Sequence, residues 1–132
     1  MHTREQLYIN GQWVEATGEG DIQVIDPATE ELVGSVPVGS STDVDAAVSA
    51  ARRAFPEWSQ STLEERADIL NQLSALFKER GEELAQLITS EVGTPIGYSR
   101  MAMVGTPRVV LRSYAKLLAD FEFEEEIRNS LV

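Results

Sequence analysis

The sequence predicts an α/β fold in which a small antiparallel sheet is followed by four helices and then by the start of a further strand. Three observations predict it. Asn10-Gly11 stands between Tyr8-Ile9 and Gln12-Trp13-Val14, and after a second turn at Gly18-Glu19-Gly20-Asp21 the run Ile22-Gln23-Val24-Ile25 alternates. From Ser41 onward the apolar residues recur at three- and four-residue spacing, the period of a helix. At Phe121-Glu122-Phe123-Glu124 the pattern returns to alternation.

Both residues of Asn10-Gly11 tolerate positive φ, which makes this pair a hairpin turn. Pro27 ends the next strand by removing a ladder donor, and Glu30-Glu31 turns into Leu32-Val33-Gly34-Ser35-Val36, closed by Pro37. Residues 7–37 are therefore expected to form one small sheet. The first helix carries Val44, Ala47, Val48, Ala51, Ala54 and Phe55 on one face. Thr42 with Asp45 resembles a capping box, Asp43 lies beside it, Arg52 and Arg53 sit at the far end, and Pro56 is expected to stop the helix. A second helix starts at Ser61/Thr62 with Glu64 and Glu65 at the capping positions. It shows the stripe Leu70, Leu73 and Phe77 and leaves through Lys78-Glu79-Arg80-Gly81. The third runs from Glu82 to Glu91, carries Leu84, Leu87 and Ile88, and breaks at Gly93-Thr94-Pro95. The fourth spans Ile96 to Asp120 with Pro107 inside it, which predicts a kink there. The alternating tail should form a strand leading to Leu131-Val132. No repeat or linker divides the chain, so it reads as one unit: sheet over 7–37, helices over 41–120, strand over 121–132.

A chain of 132 residues is one domain's worth, and 42% hydrophobic with 25% charged residues is ordinary for a soluble globular protein. A net charge of −11 argues against nucleic acid or an anionic membrane as partner, both of which need basic patches. The acidity reads as solubility. The absence of cysteine excludes disulfides, thiolate metal sites and thiol catalysis within these residues, and fits a reducing compartment. Met1-His2-Thr3-Arg4-Glu5 has no apolar signal region, and no apolar run approaches the roughly 18 residues of a membrane span. A cytoplasmic location is the expectation.

The residues carry little catalytic equipment. His2 is the single histidine, and in a frayed terminus it would need a fold-back to join a Ser-His-Asp arrangement. Gly18-Glu19-Gly20 reads as a turn rather than a phosphate loop. Asp120, Glu122, Glu124, Glu125 and Glu126 could bind a cation or form a solvated strand face, and alternation with Phe121 and Phe123 favours the face. Met101 and Met103 with Val104 read as helix core rather than as a ligand surface.

Six motifs share one register: Tyr8-Ile9-Asn10-Gly11 with Trp13; Asp26-Pro27-Ala28-Thr29-Glu30; Thr42-Asp43-Val44-Asp45-Ala46-Ala47-Val48 leading to Ala50-Ala51-Arg52 and Phe55 with Trp58; Glu65-Arg66-Ala67 with Leu70; Glu91-Val92-Gly93-Thr94-Pro95; and Leu111-Arg112-Ser113-Tyr114-Ala115. Together, from about Leu7 to Val132, they resemble the N-terminal segment of the aldehyde dehydrogenase family. The resemblance implies NAD(P)-dependent oxidation of an aldehyde to a carboxylic acid through a thiohemiacetal on a cysteine. A glutamate would act as base, with an asparagine and backbone donors holding the oxyanion. In the family those groups and the phosphate-binding glycines lie downstream of the position matching Val132, so no catalytic and no cofactor-binding residue transfers. The segment is expected to be an incomplete scaffold and the start of the oligomerisation strand, inactive alone and binding neither NAD nor NADP. The parent enzyme would take a small-molecule aldehyde and NAD or NADP and form a homo-oligomer.

Two lesser sites follow from the same resemblance. Many members hold a monovalent cation between a carbonyl matching Val24 and an acidic side chain matching Glu91. The family commonly has aspartate at that second position and lysine at the position of Thr94, and the alternative is a helix-end glutamate with no ion. The helix ahead of Leu111-Arg112-Ser113-Tyr114 lines the family's substrate tunnel, where Ala102 and Thr106 take the tunnel-facing positions; their small size implies room for a bulky substrate. The reading of a different class is a non-catalytic interaction protein that kept this region and binds a partner through its unpaired strand and helix faces.

Overall fold

The computed structural model describes residues 2–3, 5–123, 126–127 and 130–131. Its N-terminal strands are β1 (His2–Thr3), β2 (Gln6–Ile9), β3 (Gln12–Glu15), β4 (Asp21–Ile25) and β5 (Leu32–Pro37). Asn10 and Gly11 adopt φ of 55° and 77°, the conformation a tight hairpin turn requires. That turn pairs β2 with β3 in antiparallel register, which sets Tyr8 opposite Trp13. Their rings meet at 5.1 Å between centroids, a cross-strand aromatic pair that holds the hairpin. The expected single sheet is divided. The hairpin stands alone, while β4 and β5 pair antiparallel and β1 joins β5 in parallel, His2 against Gly34. The terminus expected to fray is thus paired.

Helix α1 (Ser41–Trp58) starts two residues earlier in its capping logic than the sequence suggested. The Ser40 hydroxyl accepts from the N–H groups of Thr42 and Asp43 at 3.1 and 3.4 Å. The Asp43 carboxylate accepts from the Ser40 N–H at 2.8 Å and from the Thr17 N–H at 3.0 Å. Only a carboxylate at position 43 reaches both, so Asp43 rather than Asp45 closes the box and ties α1 to the loop after β3. Pro56 does not end the helix. It removes one donor without blocking the residues ahead, and the Ser59 N–H still closes on the Phe55 carbonyl at 2.8 Å. Helix α2 (Leu63–Glu79) carries the expected box: the Thr62 N–H donates to Glu65 at 2.7 Å and the Glu65 N–H to the Thr62 hydroxyl at 3.1 Å. Helix α3 (Gly81–Val92) follows directly.

The fourth expected helix is three pieces: α4 (Ile96–Tyr98), a π-helical segment Ser99–Val104, and α5 (Gly105–Asp120). The irregularity lies just ahead of Pro107, where a proline ring crowds the carbonyl four residues back and the chain widens. Phe121–Phe123 do not form the strand that alternation suggested, because the Phe121 N–H is spent on the Leu117 carbonyl at 3.0 Å as α5 closes. The strand pairing comes later, between β6 (Glu126–Ile127) and β7 (Ser130–Leu131), which are antiparallel. Of the acidic tail, Asp120 and Glu122 are exposed, and Glu124 and Glu125 lie outside the described residues.

The core is thin. Among the described residues the buried apolar side chains are Ala50, Ala85, Val104 and Ala115. Much of the apolar face of α1 stays in water, with Val44 at 59% and Phe55 at 65% exposure. Met101 and Met103, expected in the core, are exposed at 70% and 41%; Val104 alone of the three packs inward. The accessible surface is 10328 Å², against about 6,900 Å² for a compact monomer of this mass.

The caps make the helices acid-sensitive. The backbone N–H of Ser40, then that of Thr17, holds the Asp43 carboxyl below its ordinary range, and the Thr62 N–H does the same for Glu65. Folded values below unfolded ones contribute stability that is present above the ordinary carboxylate range and lost as pH falls through the folded values. Helix content in intermediate urea should therefore hold from pH 7 to about pH 5 and fall below about pH 4, by circular dichroism. Asp43→Asn should shrink that fall, and Ser40→Ala should lower helix stability by about 1 kcal/mol at neutral pH. An acid response unchanged in Asp43→Asn would remove Asp43 from this role.

Candidate functional site

The first candidate region is the bend after α3. Gly93 takes φ 74°, its N–H closes on the Thr89 carbonyl at 2.9 Å, and a Cβ there would sit 2.7 Å from Cγ of Pro27. No other residue satisfies both the left-handed backbone and that close approach. Opposite, Asp26 folds its own turn: its carboxylate accepts from the N–H groups of Ala28 at 2.8 Å and Thr29 at 3.3 Å, which sets Pro27 toward the bend. The segments that carry Val24 and Glu91 are thereby brought together at Pro27 and Gly93. Val24 is half-buried in β4 opposite Gly34, and Glu91 is exposed in the last turn of α3.

The second region is the π segment, which the periodicity did not reveal. Its first residue, Ser99, is fully buried, with its hydroxyl 2.9 Å from that of Thr89 and 3.3 Å from the Thr94 carbonyl, to which it donates. Arg100 donates through Nε and Nη2 to the Glu82 carboxylate at 2.8 and 2.7 Å. Those bonds, with one from the Gln86 amide, hold the Glu82 carboxyl down at about 2. Val104 closes the segment against Gly81, where a Cβ would lie 3.4 Å from Cγ1 of Val104. Ala102, half-buried, and Thr106, exposed, stand on either side of the junction with α5. Pro107 inside an otherwise helical pattern was the available signal, and it points to a kink without specifying a π turn.

Elsewhere the chemistry is sparse. Among the described residues no group of three or more histidine, cysteine, aspartate or glutamate side chains could hold a metal. The shallow groove between the end of α1 and the start of α2 is lined by Trp58, Glu57, Glu65 and Asp68, and the Arg66 guanidinium lies 5.7 Å from the Trp58 ring. No described helix is long and apolar enough to cross a membrane.

This arrangement, an N-terminal hairpin and small sheet leading into packed helices, is that of the first part of a known oxidoreductase fold. Residues 13–130 match the model of the aldehyde dehydrogenase family. Over 135 aligned residues the chain is 36% identical to 3-succinoylsemialdehyde-pyridine dehydrogenase of a Pseudomonas species, covering 100% of this chain and 28% of that protein. Among solved structures, an aldehyde dehydrogenase from Bartonella henselae superposes with a TM-score of 0.91 at 31% identity, over 98% of this chain and 28% of the other. A mutant of aldehyde dehydrogenase C from Pseudomonas syringae, in complex with NAD+ and octanal, does so with a TM-score of 0.89 at 40% identity, over 93% and 25%. The chain belongs to the aldehyde dehydrogenase family, and it spans 25–28% of the length of these relatives.

Proposed function

We propose that the chain is the N-terminal scaffold of an NAD(P)-dependent aldehyde dehydrogenase that oxidises an aldehyde to a carboxylic acid, and that the segment is not catalytic alone. The match of essentially the whole chain to one quarter or so of its relatives carries this reading. The surface left uncovered supports it: helix faces presenting Val44, Phe55 and Leu73 to water are what a scaffold looks like when the sheet it covers lies elsewhere in the sequence. The work of these residues is mechanical. The caps and the Gly93 bend set helix directions, so that groups contributed by later residues can meet.

Within that enzyme we assign the Val24 carbonyl and Glu91 to a monovalent cation, and Ala102 with Thr106 to a wall of the substrate tunnel. The contact of Gly93 with Pro27 supports the first by bringing the two segments together. The octanal bound by the Pseudomonas syringae relative is consistent with the second, since small side chains leave room for an extended aldehyde. NAD or NADP would be the oxidant, held by downstream residues. We further propose a cytoplasmic homo-oligomer.

The test is to isolate the native protein from its source, measure its intact mass and assay NAD+ or NADP+ reduction with propanal and octanal. A polypeptide of several hundred residues with that activity is expected. A native mass of 132 residues with a bound partner protein and no reduction would overturn the reading in favour of an interaction module.

A further inference from the structure

Ser99 and Val104 are both buried and both face α3, yet they are five residues apart. In an α-helix that separation rotates a side chain about 140° beyond a full turn, so one of the pair would point away. An i→i+5 helix has a wider turn and brings residues five apart to within about 50° of one another, close enough to share a face. The π segment is thus what lets both ends of Ser99–Val104 face the same neighbour. Beyond it, Val104, Arg108, Leu111 and Ala115 continue as one inward stripe of α5 at ordinary helical spacing. That stripe lies against α2, where the Ser74 hydroxyl donates to the Arg108 carbonyl at 3.1 Å. The segment therefore matches the phase demanded by α3 to the phase demanded by α2. Met101, Ala102 and Met103 lie within that segment and Thr106 two residues beyond it, so their orientation follows its phase.

We propose that Ser99 is a positioning residue for substrate selection: its buried hydroxyl, clasped by Thr89 and the Thr94 carbonyl, sets the phase of the π turn and so the placement of Ala102 and Thr106 toward the aldehyde chain. This rests on the tunnel assignment made above. With Ser99 unclasped, the first anchor is lost and the segment can relax toward α-helical phase, which rotates the wall. Selection by chain length should then change while the distant chemistry of oxidation remains.

The experiment uses the full-size enzyme and measures kcat and KM for NAD+-dependent oxidation of propanal and octanal, with thermal midpoints recorded in parallel. Ala102→Leu, which narrows the wall directly, should lower the octanal-to-propanal ratio of kcat/KM by roughly tenfold or more. Ser99→Ala and the isosteric Thr89→Val should each shift the same ratio by about threefold or more through KM for octanal. The double variant should match the singles, because both remove one clasp. If Ala102→Leu shifts the ratio while Ser99→Ala and Thr89→Val only lower the thermal midpoint, the positioning role is overturned and the tunnel stands. If Ala102→Leu leaves the ratio unchanged, the tunnel assignment falls and this inference with it.

Discussion

Produced by itself, the 132-residue chain is expected to self-associate or to melt without a cooperative transition. Its accessible surface of 10328 Å² exceeds that of a compact monomer of this mass by roughly 3,400 Å². An excess of that size falls within the area buried by obligate interfaces, about 2,000–5,000 Å². The exposed side chains are the ones a core would use: Val44 at 59%, Val48 at 46%, Phe55 at 65%, Ile69 at 48% and Leu76 at 51%. Burying each is worth about 1.5–3 kcal/mol, while a whole domain is typically stable by about 5–15 kcal/mol. Several left wet are enough to cancel the margin. The net charge of −11 opposes association but does not cover apolar area. Light scattering with calorimetry checks this. A strictly monomeric species with one sharp, reproducible heat-absorption peak would show that the small core around Ala50, Ala85, Val104 and Ala115 suffices.

The same polypeptide is expected to form no NADH or NADPH with any aldehyde and to bind neither NAD nor NADP. The sequence contains no cysteine, and so lacks the nucleophile through which the family's reaction is expected to proceed. Its single histidine is His2, whose backbone is paired in β1. The described carboxylates with lowered values, Asp43, Glu65 and Glu82, are engaged by caps and by Arg100, so none of them is poised to take a proton at neutral pH. Because typical enzymes accelerate reactions by 10⁶-fold or more, with k set by a positioned nucleophile and base, the expected loss is total at the limit of absorbance detection. Millimolar NAD should likewise leave the unfolding profile unmoved, since a ligand stabilises only the state it binds. Reproducible reduction by homogeneous chain would overturn this and place chemistry in these residues.

What was legible in the sequence was local. The Asn10-Gly11 turn, the capping of the second helix at Thr62 and Glu65 and the Gly93 break are each decided within a few residues by backbone sterics and short hydrogen bonds, and they came out as expected. So did the family, because its motifs record those local solutions in order. Where two local solutions competed, the tertiary structure chose. Asp43 closed the first helix instead of Asp45 because it alone also reaches Thr17, 26 residues away in sequence. The same holds for the candidate tunnel wall. Helical periodicity assumes one phase along a helix, but Ser99 had to meet Thr89 while Val104 met Gly81 and Arg108 met Ser74. No window of neighbouring residues contains those partners. Pro107 marks where the helix must be irregular, but packing against two different helices decides that the irregularity is a π turn, and with it turns Met101 and Met103 out of the core that their hydrophobicity suggested.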